Sequence, residues 1–226
     1  KFMYEYAKLI KPSIMSLCGK QKKAIILDCD NTLWGGIVGE DKKNIQINTY
    51  STTGKIFNEI QKLLKELKKR GLILCLCSKN NFNEVENLFK KNKMPLTFND
   101  FTIKKINWNN KVENIKNISK ELNIGYESLL FIDDSSFEIG LVKKYLNKVD
   151  CFKVSENLKD YLLNFKLLNN SFYFGSLTTE DKLRSKSYEQ EKKRSLARKK
   201  YFNIDEYIKS LNIKVFYEQG KKISVS

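Results

Sequence analysis

Asp28 and Asp30 stand two residues apart at the end of the apolar run 24–27. Strand periodicity places both carboxylates on one side of the chain. One of them can attack an electrophile or ligate a cation while the other handles a proton. The chain contains no histidine, so carboxylates must carry the acid/base work between them. Three further stations follow in order: Ser78 after the apolar run 72–77, Lys111 at the opening of a helical pattern, and Asp133 with Asp134 after the run 129–132. Each station alone has a structural reading. Asp28 can end a strand at a turn, Ser78 and the Asp133-Asp134 pair can be helix N-caps, and Lys111 is one lysine among many. All four falling in order just beyond strand ends is improbable as coincidence, because open α/β folds place their chemistry at that edge.

The elements that must position these residues are legible from periodicity. Residues 24–27, leading into Asp28, are continuously apolar, as a strand buried on both faces requires. Residues 34–40 are glycine-rich and read as a flexible loop or short hairpin projecting from the strand end. A helix is predicted from about Lys55, with Ile56, Phe57, Ile60, Leu63, Leu64 and Leu67 on one face, stopped by Gly71. Strands are predicted over 72–77, 101–108, 129–132 and 149–154. Helices carry Val85, Leu88 and Phe89, then Val112, Ile115, Ile118 and Leu122, then residues 141–146. Alternating strands and helices predict an α/β chain with a Rossmann-like doubly wound parallel sheet. From residue 177 a charged helical extension is expected, opened by Thr178-Thr179-Glu180-Asp181 and leading to a downstream module. The predicted organisation is an N-terminal segment or linker over 1–20, a catalytic domain over 21–176 and the extension over 177–226.

The four stations, spanning roughly residues 22–155, resemble the haloacid dehalogenase (HAD) superfamily of phosphoryl-transfer enzymes. A phosphoryl group repels an anionic nucleophile, so a divalent cation must screen the approach. The resemblance implies Mg2+ held by Asp28, the Asp30 backbone carbonyl, Asp133 and, directly or through water, Asp134. Asp28 would attack and form an aspartyl-phosphate, and Asp30 would protonate the leaving group and activate the acceptor. Ser78 and Lys111 would bind the phosphoryl oxygens. Thr32, Trp34, Lys79, Asn80 and Asn81 are expected to line the substrate path.

At closer range, residues 27–41, Ser78-Lys79-Asn80-Asn81, Lys111 with its flanks and Phe131-Ile132-Asp133-Asp134 resemble the FkbH-like branch, HAD phosphatase subfamily IIIC. That resemblance implies removal of phosphate from 1,3-bisphosphoglycerate and loading of the glyceryl group onto an acyl carrier protein. The alternative is a plain magnesium-dependent phosphatase of a small phosphate ester, and a third is a silent interaction module. Two departures stand out: Asn110 occupies a common proline position, and Ser135-Ser136 replaces the usual Asn-Pro after the paired aspartates. No insertion is long enough for a large cap. Cys29, between the two aspartates, is expected to point away from them into packing.

Composition bounds the partners. The net charge of +16 and pI near 9.5 suit a small phosphorylated substrate or an acidic carrier protein. No basic stripe interleaved with aromatics marks a nucleic-acid surface, and no apolar run is long enough for a membrane span. Five cysteines without framework spacing fit a reducing cytoplasm.

Overall fold

All four residues of β1 (Ala24–Leu27) are buried. A strand without alternation must be covered on both faces, which a parallel sheet between two helical layers supplies. The computed structural model has that arrangement. After β1 come α1 (Thr52–Lys69), β2 (Ile73–Ser78), α2 (Phe82–Lys91), β3 (Phe101–Ile106) and α3 (Lys111–Leu122). Then follow β4 (Leu129–Asp133), α4 (Ser136–Tyr145), β5 (Asp150–Lys153) and α5 (Leu158–Asn170). Residues 21–40 and 45–170 are described, with isolated positions on either side, and residues 169 and 170 by backbone alone. The chain divides into two units, Lys1–Lys186 and Ser187–Ser226, and the sheet with its helices belongs to the first. The predicted N-terminal segment and the helical extension lie, isolated positions apart, outside the described residues.

The sheet runs β3-β2-β1-β4-β5, parallel throughout. The doubly wound α/β expectation is met. Right-handed crossovers send α1 and α2 to one face, and the reversal of strand order between β1 and β4 sends α3 and α4 to the other. Ile25, Leu27, Leu74 and Leu76 share one core cluster with Phe57, Ile60 and Leu64 of α1 and Tyr161 and Phe165 of α5. Helix α5, with Leu158, Tyr161, Leu162 and Phe165 at helical spacing, was not anticipated and closes that layer against α1. Three predicted elements shift by two residues or more at an end. Helix α1 begins at Thr52 because Ser51 caps it, accepting from the Gly54 N–H; β3 stops at Ile106, and α4 begins at Ser136.

Gly54 sits where a Cβ atom would lie 1.8 Å from the Asn48 carbonyl oxygen. That neighbour is backbone and cannot swing aside. Gly54→Ala is therefore expected to destabilise the protein by about 2 kcal/mol or more, measured by urea unfolding.

Candidate active site

The carboxyl ends of β1, β2 and β4 meet where the strand order reverses, the place where such sheets form a crevice. Asp28 follows β1, and its N–H bonds the Ile132 carbonyl at 3.0 Å. Strand pairing thus holds it beside Asp133, the last residue of β4. Ile25, Leu27 and Cys29 belong to the α1-side core, so alternation turns Asp28 to the opposite face, towards α3. Lys111 is the first residue of α3, whose N-cap is Asn110, accepting from Val112 N–H at 2.8 Å. Asn110 therefore starts the helix as its side-chain cap, which a proline at this position could not do. The Lys111 ammonium lies 2.6 Å from Asp133 Oδ2 and 2.9 Å from Asp28 Oδ1. All three side chains are buried.

One ammonium cannot neutralise the carboxylates around it. Burial opposes the charge on Lys111, but Asp28 and Asp133 outweigh burial and raise its pKa above the usual lysine value. Burial, then the Asp28 charge, pushes Asp133 up to about 6. Burial and Asp28 also raise Asp134, against a hydrogen bond from Asn31. Carboxylate oxygens of Asp28, Asp133 and Asp134 lie within 4.8 Å of one another. Asp28 Oδ1 is buried with no aligned hydrogen, although Lys111 is near. Surplus negative charge and three hard oxygen donors together fit a Mg2+ ion.

Asp30 is held differently. Its Oδ1 accepts from Trp34 Nε1 at 2.9 Å and from Val38 N–H at 3.3 Å, and its Oδ2 accepts from Asn80 Nδ2 at 2.9 Å. Asn80 Nδ2 is also 3.0 Å from Ser78 Oγ. Burial raises the Asp30 pKa, while Asn80 and Trp34 oppose that rise. The glycine-rich segment is thereby tied down: Gly35 pairs antiparallel with Gln46, and Asn31 Oδ1 accepts from Gly36 N–H at 2.9 Å.

Trp34 and Thr32, expected on the substrate path, are instead wholly buried. The indole packs edge-on to Phe89, 5.6 Å between ring centres, and gives its N–H to Asp30. The Thr32 carbonyl accepts from the Tyr161 hydroxyl at 3.1 Å. Asn81 is the α2 N-cap, accepting from Asn83 N–H, which leaves Ser78 free of that role. Likewise the α4 N-cap is Ser135 and not the aspartate pair. Asn80 is buried between Asp30 and Ser78, and Lys79 pairs with Glu138. Cys29 is fully buried in the α1-side core, and burial, then Asp28, holds its thiol protonated.

The family model for haloacid dehalogenase-like hydrolases matches residues 4–146. The chain belongs to this family. A solved structure described as the N-terminal part of the protein BF1531 from Bacteroides fragilis, containing a phosphatase domain complexed with Mg, is 39% identical with a TM-score of 0.68. The match covers 74% of this chain and 44% of that one, so the chain spans less than half of that relative. A 3-deoxy-D-manno-octulosonate 8-phosphate phosphatase from Vibrio cholerae, described as putative in name, is 18% identical over 79% of this chain and 89% of its own, at a TM-score of 0.43. No curated protein matches the sequence. The cofactor of haloacid dehalogenase-like hydrolases, Mg2+, fits the Asp28, Asp133 and Asp134 donors.

One member of the site escaped sequence reasoning, and another was expected there in a different role. Asn31 adopts φ 51°, supporting Asp134 with one end of its amide and Gly36 with the other. Its position inside the first motif and its tolerance of left-handed backbone were the available signals. Trp34 was visible but its direction was not. Trp34→Phe removes the N–H along with part of the buried ring volume; it is expected to lower kcat about tenfold while KM stays within about threefold, the loss of one hydrogen bond to a charged acceptor. Steady-state kinetics check that split.

Proposed function

We propose that this hydrolase domain is FkbH-like, of subfamily IIIC, and transfers a phosphoryl group from a small phosphorylated substrate through an aspartyl-phosphate on Asp28. One observation carries the reading: Asp28 faces Lys111 and Asp133 in a buried anionic crevice, while Asp30 is oriented separately by three N–H donors. Two carboxylates in such different surroundings suit two different roles. Asp28 attacks phosphorus in line, and its new O–P bond forms as the bond to the leaving oxygen breaks. Asp30 gives that oxygen a proton, then takes one from the acceptor. Ser78 Oγ and Lys111 Nζ hold the equatorial oxygens. Asp28, Asp133, Asp134 and the Asp30 carbonyl would hold Mg2+, which would supply the charge that allows anion to approach anion.

The wording of the motifs supports 1,3-bisphosphoglycerate as donor and an acyl carrier protein as glyceryl acceptor. Among the described residues no domain is inserted after β1 or between β2 and β3, which leaves the edge open to a carrier arm. Five free cysteines suit a cytoplasmic setting. With Cys29 buried, the partner's thiol attacks the C1 carbonyl itself and expels the C1 phosphate, while Asp28 takes the C3 phosphoryl group, so no enzyme thioester forms. The second reading, a plain phosphatase, is favoured by the 39% identity to a domain described as a phosphatase. Incubation with Mg2+, 1,3-bisphosphoglycerate and holo carrier protein separates them by intact mass. A glyceryl adduct supports the first reading; free phosphate with no adduct leaves the second.

A further inference from the structure

Ser135-Ser136-Phe137-Glu138 has the form of a capping box, in which the glutamate side chain returns to the N–H of the capping serine. Half of that box is made, since Ser135 Oγ accepts from Glu138 N–H at 3.3 Å. The other half is not. Ser135 N–H is taken by Asp133 Oδ1 at 2.8 Å, and Glu138 turns its carboxylate to Lys79, where Nζ and Oε1 are 2.7 Å apart.

Lys79 follows β2 and Glu138 lies on α4 after β4, so this pair spans the strand position of β1, at whose end Asp28 stands. Both belong to the face that carries Lys111, because Lys79 alternates with Cys77, whose thiol is 3.9 Å from the Lys111 carbonyl. The partners differ in access. The Glu138 side chain is 7% exposed, whereas that of Lys79 is 38% exposed. Glu138 Oε2 is buried and has no hydrogen-bond partner. A half-buried ion pair adds little to stability, and an orphaned buried carboxylate oxygen subtracts from it. Stability is thus a poor reason for this arrangement. Its geometric result is a fixed carboxylate that holds a solvent-reached ammonium with donors to spare. Lys111, by contrast, has its charge committed to Asp28 and Asp133.

We propose that Lys79 binds a second anionic group of the substrate, apart from the phosphoryl that is transferred, and that Glu138 is its positioning residue. This rests on the phosphoryl-transfer reading and narrows its substrate class to phosphorylated molecules with an additional carboxylate or phosphate. An esterified phosphate without that second charge makes one fewer charge-assisted contact.

The matched probes are 3-phosphoglycerate and glycerol 3-phosphate, which differ in carrying a carboxylate or a hydroxymethyl group. With Mg2+, the native protein is expected to favour 3-phosphoglycerate in kcat/KM by about tenfold or more. Lys79→Met collapses that preference, mainly by raising KM for 3-phosphoglycerate, and Lys79→Arg keeps it. Glu138→Gln lowers it by loosening Lys79, again in KM more than kcat. No preference in the native protein, or an equal loss on both probes in Lys79→Met, overturns the assignment while leaving phosphoryl transfer standing. Failure to release phosphate from either probe and from p-nitrophenyl phosphate overturns both.

Discussion

Asp28→Asn is expected to abolish phosphate release, lowering kcat by about 10,000-fold or more, as loss of a covalent nucleophile does. Asparagine keeps the shape of the side chain, and the backbone bond from residue 28 to Ile132 is untouched. The change also removes one of two carboxylates that compete for Lys111. The variant should therefore unfold at a temperature no lower than the native protein, which separates lost chemistry from lost structure. Catalytic sites commonly hold like charges at a cost in stability. Near-native turnover by Asp28→Asn contradicts the aspartyl-phosphate mechanism outright.

The second large effect is expected at Lys111. Replacing it with methionine keeps the stem but leaves Asp28 and Asp133 buried together with no counter-charge. Breaking a buried ion pair from one side costs about 3–5 kcal/mol, and this loss should appear in metal-free urea or thermal unfolding. Mg2+ supplies positive charge to the same oxygens, so adding it should stabilise Lys111→Met by a larger increment than it stabilises the native protein. Activity should fall by about 100-fold or more, since a donor to the phosphoryl oxygens is lost as well. A destabilisation that Mg2+ leaves unchanged contradicts the placement of the cation beside Lys111.

Much of this site is readable in the sequence because its parts depend on local rules. A continuous apolar run buried on both faces ends at Asp28, and alternation alone turns Cys29 into the core and Asp28 out of it. Lys111, Ser78 and Asp133 are found the same way, as residues at the ends of regular elements. Trp34 was misplaced for the converse reason. It lies in a glycine-rich loop, where no period tells inside from outside, and only the packing against Phe89 and the bond to Asp30 decide its direction. The Lys79–Glu138 pair, 59 residues apart in the chain, was equally hidden. Glu138 reads locally as half of a capping box, and a long-range contact overrides that reading. Helix α5 did carry its own signal, since Leu158, Tyr161, Leu162 and Phe165 repeat at helical spacing.

The measurement that bears most directly on the mechanism is chemical trapping of the intermediate. The protein would be mixed with Mg2+ and substrate, quenched in acid and treated with borohydride, which reduces an acyl phosphate on aspartate to homoserine. The tryptic peptides spanning residues 24–42 and 121–143 would then be sequenced by mass spectrometry. Homoserine at position 28, dependent on both Mg2+ and substrate, is the expected result. Phosphate release with Asp28 unmodified, or homoserine at Asp30 or Asp133 instead, would contradict it.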